Sequence, residues 1–477
     1  MYSQDNWSTA RQLSRDGTYP TLNYGVPAIT VASNGTIHAF WVLDLEIDGS
    51  WTNGFYSQIE YRRSTDGGKT WTTTENLTPE YTTERITYMR AACDSNNNVH
   101  LVYLRGIEIL KVMHKMYDGN SWTEPYEIYP NSTKTVLLKF DAIDRLFCTW
   151  YLGSGSYYSY CDLSTGEPVW SPAGRIHDEI DSRVSGFDFN EDGYVYSTGT
   201  VGDMFSYRPY YYLYSRDENR WIIHEEIGNY EEKTLGLSIA LSSNDSLYVN
   251  TAVGQSLDHN KDDHLSKHTD DPAWSKSYSF GTNNNWDREM YIDGHDYLHL
   301  FEKHYFEGSV NGPVGLIHST GKNKVWETTV IDSSYSQYSY SEPNATFDKI
   351  NNKFYLLYNQ SDKINSINRI YFRSKTNTTS IENSDDIIVK GHKLHQNYPN
   401  PFNSSTKISY SISRTANIKL SLYNIKGEFV KNLINQKQSK GRHTVVLESK
   451  GLNSGVYYYT FIVDGTQMST RKLLYLK

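Results

Sequence analysis

The chain has 477 residues, 38% hydrophobic and 14% aromatic, with a formal net charge of −9 and no basic run. That balance argues against a nucleic-acid or anionic-membrane partner, and no stretch of about 18 apolar residues is present to span a membrane. With 41 tyrosines, the composition favours strands over helices.

The opening residues, MYSQDNWSTARQLS, lack the apolar core of a secretory signal peptide. They begin a repeat instead. A tryptophan follows a short turn and opens a strand at Trp7, Trp71, Trp122, Trp170, Trp221, Trp274 and Trp326, at spacings of 64, 51, 48, 51, 53 and 52 residues. A second repeat of half-buried strands passes through His38, His100, Phe147, Tyr196, Tyr248, His299 and Tyr355, each strand preceded by Asn, Asp or Gly. Two interleaved series of seven predict an all-β chain opening with a seven-bladed β-propeller over residues 1–375. The last copy of the second series has no tryptophan after it. Trp7 and the N-terminal strand are therefore expected to complete blade 7 and close the ring, removing its free edges.

Three cysteines occur. Cys148 and Cys161 flank the hairpin CTWYLGSGSYYSYC, and pairing Leu152 with Tyr157 would set them opposite each other, as a disulfide or as two buried thiols. Cys93 falls in an inner strand and reads as core. No cysteine–histidine spacing calls for a metal, and nothing calls for a cofactor.

Residues 376–392 read as a polar linker. A β-rich block follows over 393–477, with hairpin punctuation at Asn424–Gly427, Lys440–Gly441 and Asp464–Gly465, fitting a small Ig-like sandwich. The motifs HQNYPNPFN (His395–Asn403), LSLYNIKGEFVKNL (Leu420–Leu433), GLNSGVYYYTF (Gly451–Phe461) and RKLLYLK (Arg471–Lys477) resemble the C-terminal sorting domain (type A) of the type IX secretion system. That resemblance implies export from a Bacteroidetes-type cell to the outer surface or medium, with the secretion machinery as partner and a signal peptide removed from the natural start. A generic carbohydrate-binding sandwich is the alternative for this block.

In blade 1, YRRSTDGGKTW matches the Asp-box through Ser64, Asp66, Gly68, Thr70 and Trp71, with degenerate copies at Asp118–Trp122 and Ser215–Trp221. This resembles the sialidase/BNR-repeat superfamily, in which the box is structural. Sialidases carry an arginine that grips the substrate carboxylate within a Phe-Arg-Ile-Pro motif. The matching stretch here is Tyr24-Gly25-Val26-Pro27, and glycine cannot make that clamp, which argues against sialidase activity. The Arg-Pro step in SYRPYYYLYSRDENRW (Ser206–Trp221) is similar to secreted propellers acting on acidic polysaccharides, ulvan lyases among them. The histidine pair of that family is replaced by Leu104-Arg105-Gly106.

If each blade runs up, down, up and down from the axis outward, the second-to-third-strand loops share one face with the connections between blades. The box turns lie on the opposite face. Function is expected on the first face, where the loops Asp44–Ser57 of blade 1 and Val253–Ser266 of blade 5 are extended. Arg85, Arg90, Arg105, Tyr157, Tyr158, Arg183, Tyr207, Arg208, His259, His264, Arg288 and His304 fall there. A uronate lyase needs a cation to neutralise the carboxylate, a base and an acid. The candidates are Arg183, Arg208 and Tyr207 of blade 4, with Arg288 and His304 of blade 6. Solvated loop residues and salt bridges between blades are the competing account of each. His38, His100 and His299 share a repeat position and read as packing. The stretch Ser256–Asp271, with His259, Asp262, Asp263, His264, His268 and Asp270, fits either a cation or a charged, exposed connection. The tyrosine runs 157–160 and 207–214 suit stacking on sugars or packing between blades. Two functions stay open: an enzyme degrading a uronic-acid-rich polysaccharide by β-elimination or exo-hydrolysis, and a non-catalytic propeller binding glycan or protein.

Overall fold

A computed structural model describes residues 3–4, 7–15, 27–47, 50–78, 84–132, 134–141, 144–153, 155–163, 168–176, 183–190, 194–201, 208–215, 220–227, 234–242, 246–253, 261–268, 274–280, 289–293, 296–305, 314–322, 325–334, 338–340, 343–362, 367–377, 392–394, 397, 400, 402–412, 414–439 and 441–476. The chain divides into two units, residues 1–379 and 380–477. The first is a seven-bladed β-propeller and the second a small β-sandwich.

Each blade is an antiparallel sheet whose second strand is almost wholly buried, because neighbouring sheets cover both of its faces. Blade 2 shows the pattern: Arg85–Cys93 innermost, then Val99–Gly106, Leu110–Tyr117 and Tyr126–Ser132 at the rim. The innermost strands of the other blades begin at Ala28, Lys134, Arg183, Thr234, Glu289 and Asn344. The ring joins its first and last blades directly, the Ile29 amide donating to Asn344 Oδ1 at 2.8 Å. In blade 7 the rim strand is Arg11–Gln12, antiparallel to Ile367–Thr376, while Ser3–Gln4 adds to the rim of blade 6 in parallel with Val325–Ser334. Arg373 secures this N-terminal segment. It reaches the Ser8 carbonyl and also an Asp332–Tyr358 cluster that joins blades 6 and 7, with N–O distances of 3.4 and 3.0 Å to Ser8 and Asp332.

The two series in the sequence meet as one repeated packing unit. In six blades the ring at the repeat position of the second strand stacks on a ring of the third strand, one step along the diagonal. The stacked pairs are His38–Tyr61, His100–His114, Phe147–Tyr158, Tyr196–Tyr211, His299–His318 and Tyr355–Phe372, with interplanar angles of 8–24°. The tryptophan of the following blade then stands edge-on to the pair. Trp122 meets Tyr61, Trp170 His114, Trp221 Tyr158, Trp274 Tyr211 and Trp71 Phe372, at centroid distances of 5.0–6.0 Å. Trp326 and Tyr248 pack against one cluster between blades 5 and 6. Trp7, on the N-terminal segment, stands 5.9 Å from His318 of blade 6 in the same attitude. Edge-to-face contacts of this kind add about 0.5–1.5 kcal/mol each beyond the area they bury.

The turn Ser64–Trp71 is built as its sequence requires. Asp66 Oδ1 accepts from the Thr70 amide at 2.9 Å, Ser64 Oγ from the Gly68 amide at 2.9 Å, and the Trp71 indole donates to the Gly68 carbonyl. Gly68 has φ of +88°, and a Cβ there would lie 2.3 Å from the Phe372 ring of blade 7. Hairpins between first and second strands are also capped. Asp94, Asp141, Asn190, Ser242, Asp293 and Asp348 each accept from an amide two to four residues on.

Three expectations need correction. Leu152 pairs with Gly155, not Tyr157, so Cys148 faces Ser159 and Cys161 faces Leu146, and both are free, buried thiols. Asp44–Ser57 is an extended hairpin in place of a loop, with the pairs Asp44–Ser57, Leu45–Tyr56 and Glu46–Phe55. In blade 5 the strand already begins at Lys261, opposite Val253, so most of the charged run Ser256–Asp271 that is described is sheet. Alternate burial outweighed its polar composition: Leu265 and Lys267 are buried, and Lys267 pairs with Glu225. Gly25, the linker 378–391 and His259 lie outside the described residues.

The sandwich stacks Lys393–Leu394, Ser405–Ile412 and Gly441–Glu448 against a second sheet ordered Phe429–Gln438, Ala416–Asn424, Gly455–Val463 and Thr466–Tyr475. Its core runs from Leu394 and Phe402 through Leu420, Tyr459 and Phe461 to Leu473.

The packing unit predicts two measurable losses. Trp7→Ala should destabilise the propeller by about 3–5 kcal/mol, read as a lower urea midpoint with an unchanged slope. Gly68→Ala should cost about 2 kcal/mol or more, from its positive φ and its clash with Phe372.

Candidate functional site

Strand direction places the starts of first and third strands, and the ends of second and fourth strands, on one face of the ring. That face differs from the other in its backbone. The inner strands of blades 2, 3, 4 and 5 each carry a bulge near it, at Tyr88–Met89, Thr135, Ser185 and Gly236. The described inner-strand pairings of blades 1 and 6 are regular, and in blade 7 the pairing with Lys353–Asp362 shifts by one residue between Tyr340 and Asn344. Tyr88 and Thr135 have φ of +48° and +50°. Among the other described non-glycine residues of the propeller, positive φ falls to Asn97, Asp144, Asp296 and Asn352 in hairpins, residue types that tolerate it. A β-branched or bulky residue held there inside a strand is strained, and bulges re-aim side chains beside binding sites.

The expected site residues distribute as follows. Arg183 opens the inner strand of blade 4 opposite Thr200, and Arg208 opens the third strand opposite Val201, so the register brings the two to one end of that blade. Arg208 is exposed and pairs with Glu226 at 3.5 Å. His304 lies near the end of the second strand of blade 6, opposite Gly315, and burial lowers its pKa to about 4. Tyr207 and Arg288 lie outside the described residues. Arg105 forms an ion pair with Glu84 at 2.8 Å. Tyr157 stacks on Tyr129 of blade 2 at 5.9 Å, with buried Trp150 beside both, while Tyr158 belongs to the packing repeat.

One residue was missed. Asp44, buried near the end of the second strand of blade 1, has its pKa raised to about 6 by burial, which outweighs the opposing pull of the Ser57 hydroxyl and the Arg85 charge. A carboxyl poised near neutrality on this face is suited to moving a proton. Its only signal in the sequence was a position at the mouth of what reads as a long loop.

The repeat-position histidines are packing groups. The Trp170 indole, which can only donate, points to His114 Nδ1 at 3.3 Å. His114 Nε2 therefore carries the proton toward His100 Nδ1 at 3.0 Å, and His100 Nε2 faces Asp94 at 3.8 Å. His299 and His318 repeat the arrangement in blade 6, with Asp293 at 3.3 Å from His299. Burial lowers the pKa of His38 to about 4 and those of His114, His299 and His318 below the usual value of 6.5. Among the described residues no group of His, Cys, Asp and Glu is arranged to hold a metal ion.

Residues 396–475 match the family described as secretion system C-terminal sorting domain. The C-terminal unit is thus a type IX sorting domain, which directs the chain to the cell surface or the extracellular space. No curated protein matches. Among solved structures, the polysaccharide lyase Uly1 is similar over 74% of this chain and 90% of its own, at 9% identity and a TM-score of 0.50. A fungal alcohol oxidase in complex with copper aligns over 99% of both chains at 9% identity and a TM-score of 0.48. A protein from Dyadobacter fermentans aligns over 61% of this chain and 94% of its own, at 12% identity and a TM-score of 0.42. At these identities the likeness is one of fold.

The buried imidazoles set a pH dependence. His38, His114, His299 and His318 are depressed in the folded state, so the unfolded chain takes up the extra proton first. Their contribution is whole above pH 6.5 and is lost as pH falls toward about 4, the value for His38. Asp44, raised from 3.8 to about 6, contributes in the opposite sense over that window, but is one group against four. Melting temperature should therefore be level above about pH 7 and fall below 6.5. His38→Tyr, which copies Tyr196 and Tyr355 at the equivalent positions, should flatten that slope.

Proposed function

We propose that the propeller degrades a uronic-acid-containing polysaccharide at the face where the inner strands of blades 2 to 5 are bulged. The observation that carries this reading is the strained backbone at Tyr88 and Thr135, on a face that also holds Arg183, Arg208, Asp44 and His304. Strain of this kind costs about 1–3 kcal/mol per residue and clusters at functional sites. The same architecture houses a polysaccharide lyase in Uly1.

In β-elimination a base removes the C5 proton of the uronate, and electron density flows through the enolate to expel the C4 oxygen. Arg183 and Arg208 are assigned the carboxylate, whose charge must be offset for C5 to become acidic. His304, lowered to about 4, is neutral at working pH and so accepts a proton. Tyr207 is assigned the leaving oxygen and Arg288 a second contact to the chain. Pairing of Arg208 with Glu226 instead favours the second reading, a propeller that binds glycan without cleaving it.

Incubation with polygalacturonate, alginate and glucuronan separates the two. A lyase generates ultraviolet absorbance from the unsaturated uronate, and Arg208→Ala should lower kcat/KM about a hundredfold. With His304 as base, the rate should hold as pH falls below 6 and be lost only toward about 4. Binding of these polymers with no absorbance change and no shortening of the chains leaves the binder. Neither binding nor cleavage overturns both.

A further inference from the structure

The charge of the chain is unevenly divided. Residues 380–477 hold 14 Lys and Arg against 6 Asp and Glu, whereas residues 1–379 hold 32 against 49. A sandwich of net charge +8 is therefore carried by a propeller of −17. A fold needs no such surplus, and its natural complement is a polyanion.

The outer face of the four-stranded sheet has a matching pattern. Along Ala416–Asn424 the even positions from Ala416 to Leu422 face the core, and along Gly455–Val463 the odd positions from Tyr457 to Val463 do so. The alternate residues face away. Register then aligns one cross-strand row: Phe429 opposite Tyr423, Tyr423 opposite Tyr458, and Tyr458 opposite Lys472. Phe429 is 55% exposed and Tyr458 37%, and the rings of Tyr423 and Phe429 meet edge to face at 6.0 Å. Two residues along, the next row is polar, with Asn432, Ser421, Thr460 and Thr470 in register; Ser421 and Thr460 are buried, and Asn432 and Thr470 at its ends are exposed. Beyond it stands Lys419, opposite Ile462.

A row of aromatic rings, exposed at Phe429 and Tyr458, beside the exposed Asn432 and Thr470, with lysines at its margins, fits a sugar chain. The apolar faces of pyranose rings lie on the exposed aromatics, their hydroxyls meet Asn432 and Thr470, and acidic substituents meet the lysines. A protein partner would call for a broader apolar centre depleted of lysine. We infer that this outer face of the C-terminal unit is a binding site for a carboxylate-bearing polysaccharide, with Phe429, Tyr423 and Tyr458 as the stacking platform and Lys472 as the anion contact. The site is separate from the propeller face and does not rest on the chemistry proposed there.

Affinity electrophoresis of the full chain in gels containing polygalacturonate tests it, with hydroxyethyl cellulose as the neutral control. The chain should be retarded by the acidic polymer and little by the neutral one. The double variant Phe429→Ala/Tyr458→Ala should weaken that retardation about tenfold in Kd, and Lys472→Gln about two- to fivefold. Both aromatic rings are exposed, so the melting temperature should be unchanged and uronate release by the propeller, if present, should persist. Equal retardation of the double variant and the unaltered chain overturns the site. So does retardation that Lys472→Gln leaves untouched, or that hydroxyethyl cellulose reproduces. Capture by anionic lipid vesicles but not by the polymer overturns the assignment in favour of a membrane surface.

Discussion

The propeller rests on one contact: a tryptophan standing edge-on against two stacked rings of the preceding blade. A blade alone is a four-stranded sheet with two faces to bury and no partner within itself. The ring triplet supplies that partner on each side, so every blade is held by its neighbours and none is stable in isolation. The position tolerates His, Tyr and Phe in the second strand and Tyr, His and Phe in the third. The demand is therefore for a flat ring of about the right size. Histidine meets it at a cost, since the burial that packs the ring also depresses His38, His114, His299 and His318.

The two faces of the ring solve different problems. On one, hairpins from first to second strand are fastened by short polar side chains, and the left-handed positions go to Asn, Asp and Gly, which adopt them at little cost. On the other, the backbone is bulged in four successive blades, and a tyrosine and a threonine occupy conformations they resist. Stability is concentrated on the first face, and the second gives some up. Arginines and poised carboxyl and imidazole groups fall on the side where regularity has been given up.

Much of the fold was legible because its determinants repeat. Seven tryptophans and seven ring-bearing strands are local signals, each reinforced by six others, and the sorting-domain motifs are contiguous. The stacking partners in the third strand were not legible, since the diagonal depends on hairpin register, and register is set by turns of unequal length. A two-residue error of this kind placed Cys161 opposite Cys148. The candidate site was harder still. The contributing blades supply one or two residues each, no repeat links them, and Asp44 is shifted by burial within a hairpin whose sequence resembles a loop. Lys261–His268 failed for a related reason: tertiary burial of Leu265 and Lys267 overrode a composition that speaks for solvent.

The rim strand of blade 7 has an implication for the order in which the molecule takes shape. Arg11 and Gln12 pair with Phe372 and Tyr371, so a segment ahead of blade 1 waits for nearly the last strand of the ring. Such a contact carries a large loop-closure penalty and forms late. Until it does, blades 6 and 7 present open edges and the cavity beside His318 has no tryptophan. Ring closure is thus a checkpoint that only a chain complete through blade 7 can pass. A truncated or stalled chain remains an open, sticky arc, distinguishable by its edges from the finished protein.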